Sequence, residues 1–341
     1  MRIFMTGGSG FVGAAAIKRL RSDGHDVVAL VRSDASAERV RQLGAEPLRG
    51  DLADFAAGTP SWADELQHCD AVVHAAAYLA FWGPDRLFEQ RNLQPTVALY
   101  TAAVNAGVRR FILLSAASIS SGSQRAPVVS ERTDDGRPNV AYSRVKQATE
   151  QALLSAPAKD TELIILRPPF VWGTGMNSLD QMVQSVKAGQ WAWIDHGART
   201  LDFVHVENLA QAISLALDHG TAGHVYYITD DHPQTVREFI GALIETQGVT
   251  PGERSVPRPV ATLLATLMEG AFKLARRPTA PPLTRWIVCA MARDRSYDIT
   301  AAKRDLKYQP SVSFEQGLTS MRAFSDEATN GALASVDAPN S

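Results

Sequence analysis

Tyr142 and Lys146 stand four residues apart in Val140 to Leu154, a segment whose spacing predicts a helix, so both side chains project from one face. A phenol beside an ammonium has a definite chemistry. When hydride moves from a reduced nicotinamide to a carbonyl carbon, the oxygen gains negative charge and requires a proton. A free phenol, with a pKa of about 10, is a poor base but a usable acid, and a nearby ammonium favours the phenolate. One helical turn lets Lys146 perform that tuning and reach a cofactor ribose. The same pair also occurs on ordinary helix surfaces. Its position in the chain separates the two cases.

That position is set by the first thirteen residues. Ile3 to Met5 is an apolar run too short for a helix and reads as a buried strand. Gly7, Gly10 and Gly13 follow at three-residue spacing, and Ala14 to Leu20 continues as good helix formers. Strand, glycine turn and helix N-terminus make an anion site. Gly7 permits the tight turn, Gly10 lets the backbone approach a pyrophosphate, and Gly13 lets helix and strand pack closely. Further strands are expected at Asp26 to Val31, Leu48 to Leu52, Ala71 to Ala77, Phe111 to Leu114 and Leu163 to Leu166. Helices are expected at Ser61 to His68 and, as one long element, Leu87 to Ala106. The alternation implies an α/β fold, a Rossmann-type doubly wound parallel sheet covered on both faces. Ligands on such a sheet sit at the carboxyl ends of the strands, which singles out Asp51, Ala75 to Ala77 and Ser115 to Ser118.

The net charge of −2 carries no nucleic-acid signature, and Cys69 and Cys289 fit neither a disulfide framework nor a metal cluster. No leader precedes the opening strand and no apolar run is long enough for a membrane span, so a cytoplasmic setting is expected. Beyond Gly173 the alternation loosens. The expected division is a dinucleotide-binding domain over 1–173, rejoined by 199–230, a smaller, mostly helical substrate domain over 174–198 and 231–325, and a disordered tail over 326–341. Val260 to Ala275 carries an apolar stripe at helical spacing. It reads as a helix packed on the substrate domain or on a subunit partner in a homodimer, or else as a lid over an apolar substrate; a membrane-surface role is the weakest reading, since few charges line its polar side. Trp172, Trp191 and Trp193 are candidates for a pocket wall or for core. His205 and Asn92 are read as hydrogen-bonding to neighbouring backbone, and Arg167 as pairing at the sheet end.

Three segments together carry a family resemblance. Thr6 to Gly13, Tyr142-Ser143-Arg144-Val145-Lys146 and Leu166-Arg167-Pro168-Pro169-Phe170-Val171 resemble the glycine motif, the Tyr-x-x-x-Lys pair and the Arg-Pro segment of extended short-chain dehydrogenases/reductases. Phe203 to Ala210 and Tyr297 to Pro310 are similar to segments of the 3β-hydroxysteroid dehydrogenase-like or dihydroflavonol reductase-like branch. The resemblance implies a nicotinamide cofactor held by Gly7, Ser9, Gly10, Phe11, Val12 and Gly13. It also implies that Pro168, Pro169, Phe170 and Val171 line the nicotinamide side, and that Asp51, Leu52, Ala75, Ala76 and Ala77 border adenine and ribose. One position departs from the pattern. The Ser or Thr that the family places after the fifth strand falls on Ala116, which cannot donate. Either Ser118, facing the same side if the backbone is extended, or Ser115 substitutes, or the oxygen is held by Tyr142 alone.

Cofactor choice turns on the end of the second strand, where Arg32 stands in place of an acidic residue and Arg39 follows seven residues on. A guanidinium there can hold a 2′-phosphate, which points to NADP rather than NAD. The functional expectation is an NADP-dependent oxidoreductase interconverting a secondary alcohol and a ketone or aldehyde on an apolar small molecule. Tyr142 would be the acid/base, Lys146 its partner and Ser118 or Ser115 the oxygen holder. Two other readings stand beside it. One is a sugar-nucleotide epimerase or dehydratase, with Arg254, Arg258, Arg276 and Arg277 for the pyrophosphate. The other is an NADP-binding regulator with little catalysis, suggested by Ala116.

Overall fold

A computed structural model of the chain describes residues 1–80, 82–120, 128–131, 138, 140–277 and 279–336. β1 (Arg2–Thr6) is apolar toward both sides. Ile3 and Met5 enter one core with Ile17 and Leu20 of α1 (Phe11–Ser22), while Phe4 enters the opposite core with Leu99 and Tyr100. This two-sided burial is why the strand reads as a continuous hydrophobic run.

With β2 (Asp26–Val31), β3 (Glu46–Arg49), β4 (Ala71–His74) and β5 (Arg110–Leu114), β1 belongs to a seven-stranded sheet paired in parallel throughout. The order is His224–Tyr227, Glu162–Arg167, β5, β4, β1, β2, β3. The chain winds outward in one direction from β1 to β3 and in the other from β4 onward. The crevice between β1 and β4 is therefore the topological switch point, where doubly wound sheets bind ligands. His224–Tyr227 returns to this sheet, and the helix Val206–Asp218 packs beside α1.

The helix expected over Leu87 to Ala106 is broken into Asp85–Phe88, a wide π turn at Glu89–Leu93, and Gln94–Ala106. Pro95 explains the break. It lacks an N–H and its ring crowds the carbonyl four residues back, so the backbone opens by one residue. A second core gathers Trp172, Trp193, Phe203, Phe239 and Ile240 in the C-terminal half. The final helix, Phe314–Val336, runs through the first eleven residues of the segment expected to be disordered, and 337–341 lie outside the described residues. Its alanines favour helix even where composition offers little to bury.

Candidate active site

The glycine turn is built by contacts that exclude side chains. Gly7 adopts φ +75°, and a Cβ there would lie 2.6 Å from the Ala76 amide nitrogen. The Gly10 amide donates to the Gly7 carbonyl (3.0 Å), and a Cβ on Gly13 would sit 2.0 Å from that same carbonyl oxygen. Beside Gly10 a Cβ would meet only the Gly7 oxygen, at 3.2 Å, so the crevice side is open. A cradle closed at Gly7 and Gly13 and open at Gly10 fits a pyrophosphate. Ser9 is half-buried between them, Phe11 packs against the C-terminal core, and Val12 packs against the sheet core.

A polar chain beneath the turn escaped sequence reading. Thr6 Oγ1 hydrogen-bonds His74 Nδ1 (2.7 Å), His74 Nε2 hydrogen-bonds Thr96 Oγ1 (2.8 Å), and the Ala76 amide donates to Thr6 Oγ1 (3.3 Å). Burial first, then the Lys146 charge, pushes His74 down to about 3, so it is a neutral imidazole near pH 7. The chain ties the end of β1 to the end of β4 and sets Ala75 and Ala76 against the glycine turn, with Ala77 exposed beyond them.

Arg32 is exposed at the end of β2, 3.8 Å from the Asp51 carboxylate. Arg39 is exposed on α2 (Asp34–Gln42) and has no ion-pair partner among the described residues; Asp34, two residues after Arg32, reaches Arg49 at 3.5 Å. Asp51 caps the short 3₁₀ turn that begins at Leu52, accepting from the Ala53 amide (3.0 Å). Leu52 leans on the core behind it.

Lys146 and Tyr142 project from the helix Ala141–Ser155. The Lys146 ammonium is buried, donates to the Leu114 carbonyl at 2.8 Å and lies 5.9 Å from the Tyr142 ring centre. Burial lowers it to about 8, opposed by the Glu150 carboxylate one turn further on. Tyr142 departs from the expectation. Loss of solvent is its one resolved influence and raises the phenol above its ordinary value, because the ammonium is directed at the Leu114 carbonyl and not at the hydroxyl. Near pH 7 it therefore holds its proton, the form required of an acid.

Glu150 is itself fixed by a buried ion pair with Arg167 at 2.5 Å, and Arg167 also reaches the Tyr227 hydroxyl at 3.1 Å. The Arg-Pro segment follows directly. Pro168 accepts from the Ala117 amide (2.9 Å), Pro169 is half-buried, and Phe170 and Val171 lie in a short strand paired in parallel with Phe203–His205.

The substitute for Ala116 is not placed as expected. Residues Ala117–Ser120 form a 3₁₀ turn, so the two-residue alternation of an extended strand does not apply to Ser118. Ser118 Oγ instead accepts from the hydroxyl of Ser143 at 2.8 Å, and Ser143 adjoins Tyr142. Ser115 is buried and its hydroxyl has no partner among the described residues.

Tyr142 lines a cleft of about 770 Å³. Its aromatic walls are Trp82, Phe88, Phe272 and Trp286. Trp172 and Trp193 belong to the core, where their indole N–H groups are spent on Asp230 (2.7 Å) and the Gly252 carbonyl (2.8 Å), and Trp191 packs edge-on to Trp193. Trp82 lies in the loop after β4, where the topology places ligands, so the signal for it was positional. The rim is cationic. Arg144 and Arg285 are paired with Asp85 (2.6 Å) and Glu269 (2.8 Å), whereas Arg258, Arg276, Arg277 and Arg293 have no carboxylate partner among the described residues.

The remaining polar candidates have structural partners. His205 caps the helix Val206–Asp218 through Nδ1 (3.3 Å) and stacks edge-on against Trp172, and Asn92 bridges both backbone groups of Tyr78 (2.7 and 3.1 Å). No cluster of three metal-ligating residues occurs among the described residues.

Comparison with known proteins agrees with this architecture. Residues 3–229 match the NAD dependent epimerase/dehydratase family. The chain belongs to that family, the extended short-chain dehydrogenases/reductases, and its class is that of their oxidoreductases. It is 30% identical over 94% of its length, and 96% of the relative's, to the 4-hydroxy-2-methyl-3-oxo-4-farnesyl-3,4-dihydroquinoline-1-oxide ketoreductase of Stigmatella aurantiaca. It is 29% identical over 95% of its length, and 99% of the relative's, to a 2-alkyl-3-oxoalkanoate reductase of Stenotrophomonas maltophilia. Among solved structures, the dTDP-glucose 4,6-dehydratase of Streptomyces venezuelae shares the fold, with a TM-score of 0.74 at 23% identity over 97% of this chain and 98% of that one.

Proposed function

We propose that the protein is an NADP-dependent carbonyl reductase/alcohol dehydrogenase acting on an apolar molecule. The observation that carries this reading is the placement of a protonated Tyr142 in an aromatic cleft, one helical turn from a lysine anchored at the carboxyl end of the sheet. Gly7, Gly10 and Gly13 would hold the pyrophosphate, and Pro168 to Val171 the nicotinamide side. The bound cofactor would supply the hydride. Tyr142 would donate the phenolic proton to the substrate oxygen as charge develops there, a contribution of roughly 10² to 10⁴ in rate. Lys146, freed from Leu114 by a small movement, would stabilise the resulting phenolate. Ser118, hydrogen-bonded to Ser143, would hold the oxygen in place of the donor missing at Ala116. Trp82, Phe88 and Phe272 suit an apolar skeleton, and the two relatives above are named for ketones bearing farnesyl or alkyl groups.

The unpaired cations on the rim support a second reading, a sugar-nucleotide epimerase or dehydratase whose substrate pyrophosphate they would bind. Cofactor turnover separates the two. With a panel of ketones and aldehydes of graded size, a reductase consumes NADPH stoichiometrically and releases NADP, whereas an epimerase releases none. Consumption with no member of the panel, together with tight cofactor binding and no conversion of a sugar nucleotide, would leave the binding-protein reading standing instead.

Arg32 decides cofactor choice in this proposal. Arg32→Asp is expected to lower kcat/KM with NADPH by roughly tenfold or more and to move the preference toward NADH, since the carboxylate repels the 2′-phosphate. An unchanged NADPH to NADH ratio would defeat the role of Arg32.

A further inference from the structure

The helix Arg258–Leu274 faces opposite to the way its apolar stripe suggests. Its small residues are turned inward: Ala261 and Ala265 pack on Val288 and Ala292. Its leucines are turned out. Leu263, Leu267 and Leu274 are 60%, 62% and 89% exposed, and Val260 and Leu264 are 46% and 44% exposed. At 100° per residue these five positions fall within one stripe about 100° wide. Five large apolar side chains on one helix form a contiguous patch, which soluble surfaces rarely leave to water without a use.

Charge identifies what the patch meets. The helix contains a single acid, Glu269, which is buried and bound to Arg285 through both its backbone N–H and its guanidinium (2.8 Å each). The outward side thus carries no carboxylate. Arg254 and Arg258 lie at one end and Arg276 and Arg277 just past the other, the last three also bordering the Tyr142 cleft, while Lys273 is turned to the Trp82 ring. We infer that this face docks on an anionic lipid surface, leucines in the acyl boundary and cations among the headgroups. A second copy of the chain fits poorly. Two-fold pairing of this helix, in either relative direction, sets one cationic end against another. No helix among the described residues is long and apolar enough to cross a membrane, so the helix lies on the bilayer and does not span it.

The geometry also gives the docking a consequence. The inner side of the same helix lines the Tyr142 cleft through Thr262, Phe272 and Lys273. Docking therefore holds one wall of the cleft against the bilayer, with the cleft on the far side of the helix from the lipid. The binding itself does not depend on the reaction proposed above.

The test is sedimentation of the full chain with large vesicles of phosphatidylcholine alone and of phosphatidylcholine with about 30% phosphatidylglycerol. Expected is binding to the anionic vesicles and little to the neutral ones. Leu263→Ser/Leu267→Ser, two exposed positions whose change leaves the melting temperature near wild type, should abolish it, and Leu274→Ser alone should weaken it. Arg276→Gln/Arg277→Gln should weaken partitioning by roughly thirtyfold. No binding to anionic vesicles overturns the inference, as does equal binding to neutral ones. A dimer that the double leucine variant dissociates would overturn it too, assigning the patch to a second copy.

Discussion

Tyr142→Phe is expected to lower kcat for carbonyl reduction by about 10³ while leaving NADPH affinity within about twofold of wild type. The substitution removes one oxygen and keeps the ring that lines the cleft. No protein group among the described residues bonds to that hydroxyl, so the folded structure loses nothing with it. The deficit should therefore fall on the proton-transfer step and not on stability. Lys146 gives the same step a pH signature. Burial holds its ammonium at about 8, so the charged form that would stabilise the phenolate is present below that pH and lost above it. The wild-type rate of reduction should decline as pH rises through about 8, and the Lys146→Met variant, slower overall, should lack that limb. A phenylalanine variant as active as wild type would remove Tyr142 from the reaction.

The second large effect separates Gly10 from Gly13. Gly13→Ala would force a methyl to within 2.0 Å of the Gly7 carbonyl oxygen and 2.8 Å of the Gly8 Cα, both backbone atoms. Neither can yield without moving the turn, so the cost is overpacking of about 1–3 kcal/mol or more, and both melting temperature and cofactor binding should suffer. Gly10 has φ −79° and ψ 176°, an extended conformation that alanine adopts freely, and its methyl meets one oxygen at 3.2 Å. Gly10→Ala should fold with a near wild-type melting temperature yet bind the dinucleotide about a hundredfold more weakly, because the methyl occupies the space a pyrophosphate needs. Calorimetric titration with NADPH beside a thermal melt reads both quantities. Wild-type affinity in Gly10→Ala would mean that the cofactor is not seated on this turn.

How much of this was legible in the sequence follows from the range of the forces involved. Short apolar runs placed the central strands of the sheet, because a strand buried on both faces must be apolar throughout, whereas the edge strand expected at Leu48 to Leu52 runs Glu46–Arg49 and is only partly buried. The four-residue step from Tyr142 to Lys146 is local and survived. The polar contacts that fix the site are not local. Thr6 meets His74 across 68 positions, and Lys146 meets the Leu114 carbonyl across 32, pairings that only the assembled sheet creates. An extended backbone would give Ser118 a fixed side, and the chain instead turns into a 3₁₀ segment there. The helix Arg258–Leu274 shows a different limit. Periodicity reveals an apolar stripe but not which stripe is covered, and close packing of Ala261 and Ala265 turned the leucines outward. Residue type does not separate the tryptophans either: Trp172 and Trp193 fill the second core while Trp82 walls the cleft.

The most direct measurement follows a label. NADPH carrying deuterium at the transferring position of the nicotinamide is incubated with the enzyme and a ketone that it turns over, and the alcohol is examined by mass spectrometry and NMR. Net hydride transfer beside Tyr142 requires one deuterium at the carbinol carbon per NADP released. An alcohol free of deuterium, or an altered substrate with no oxidised cofactor in solution, would contradict it.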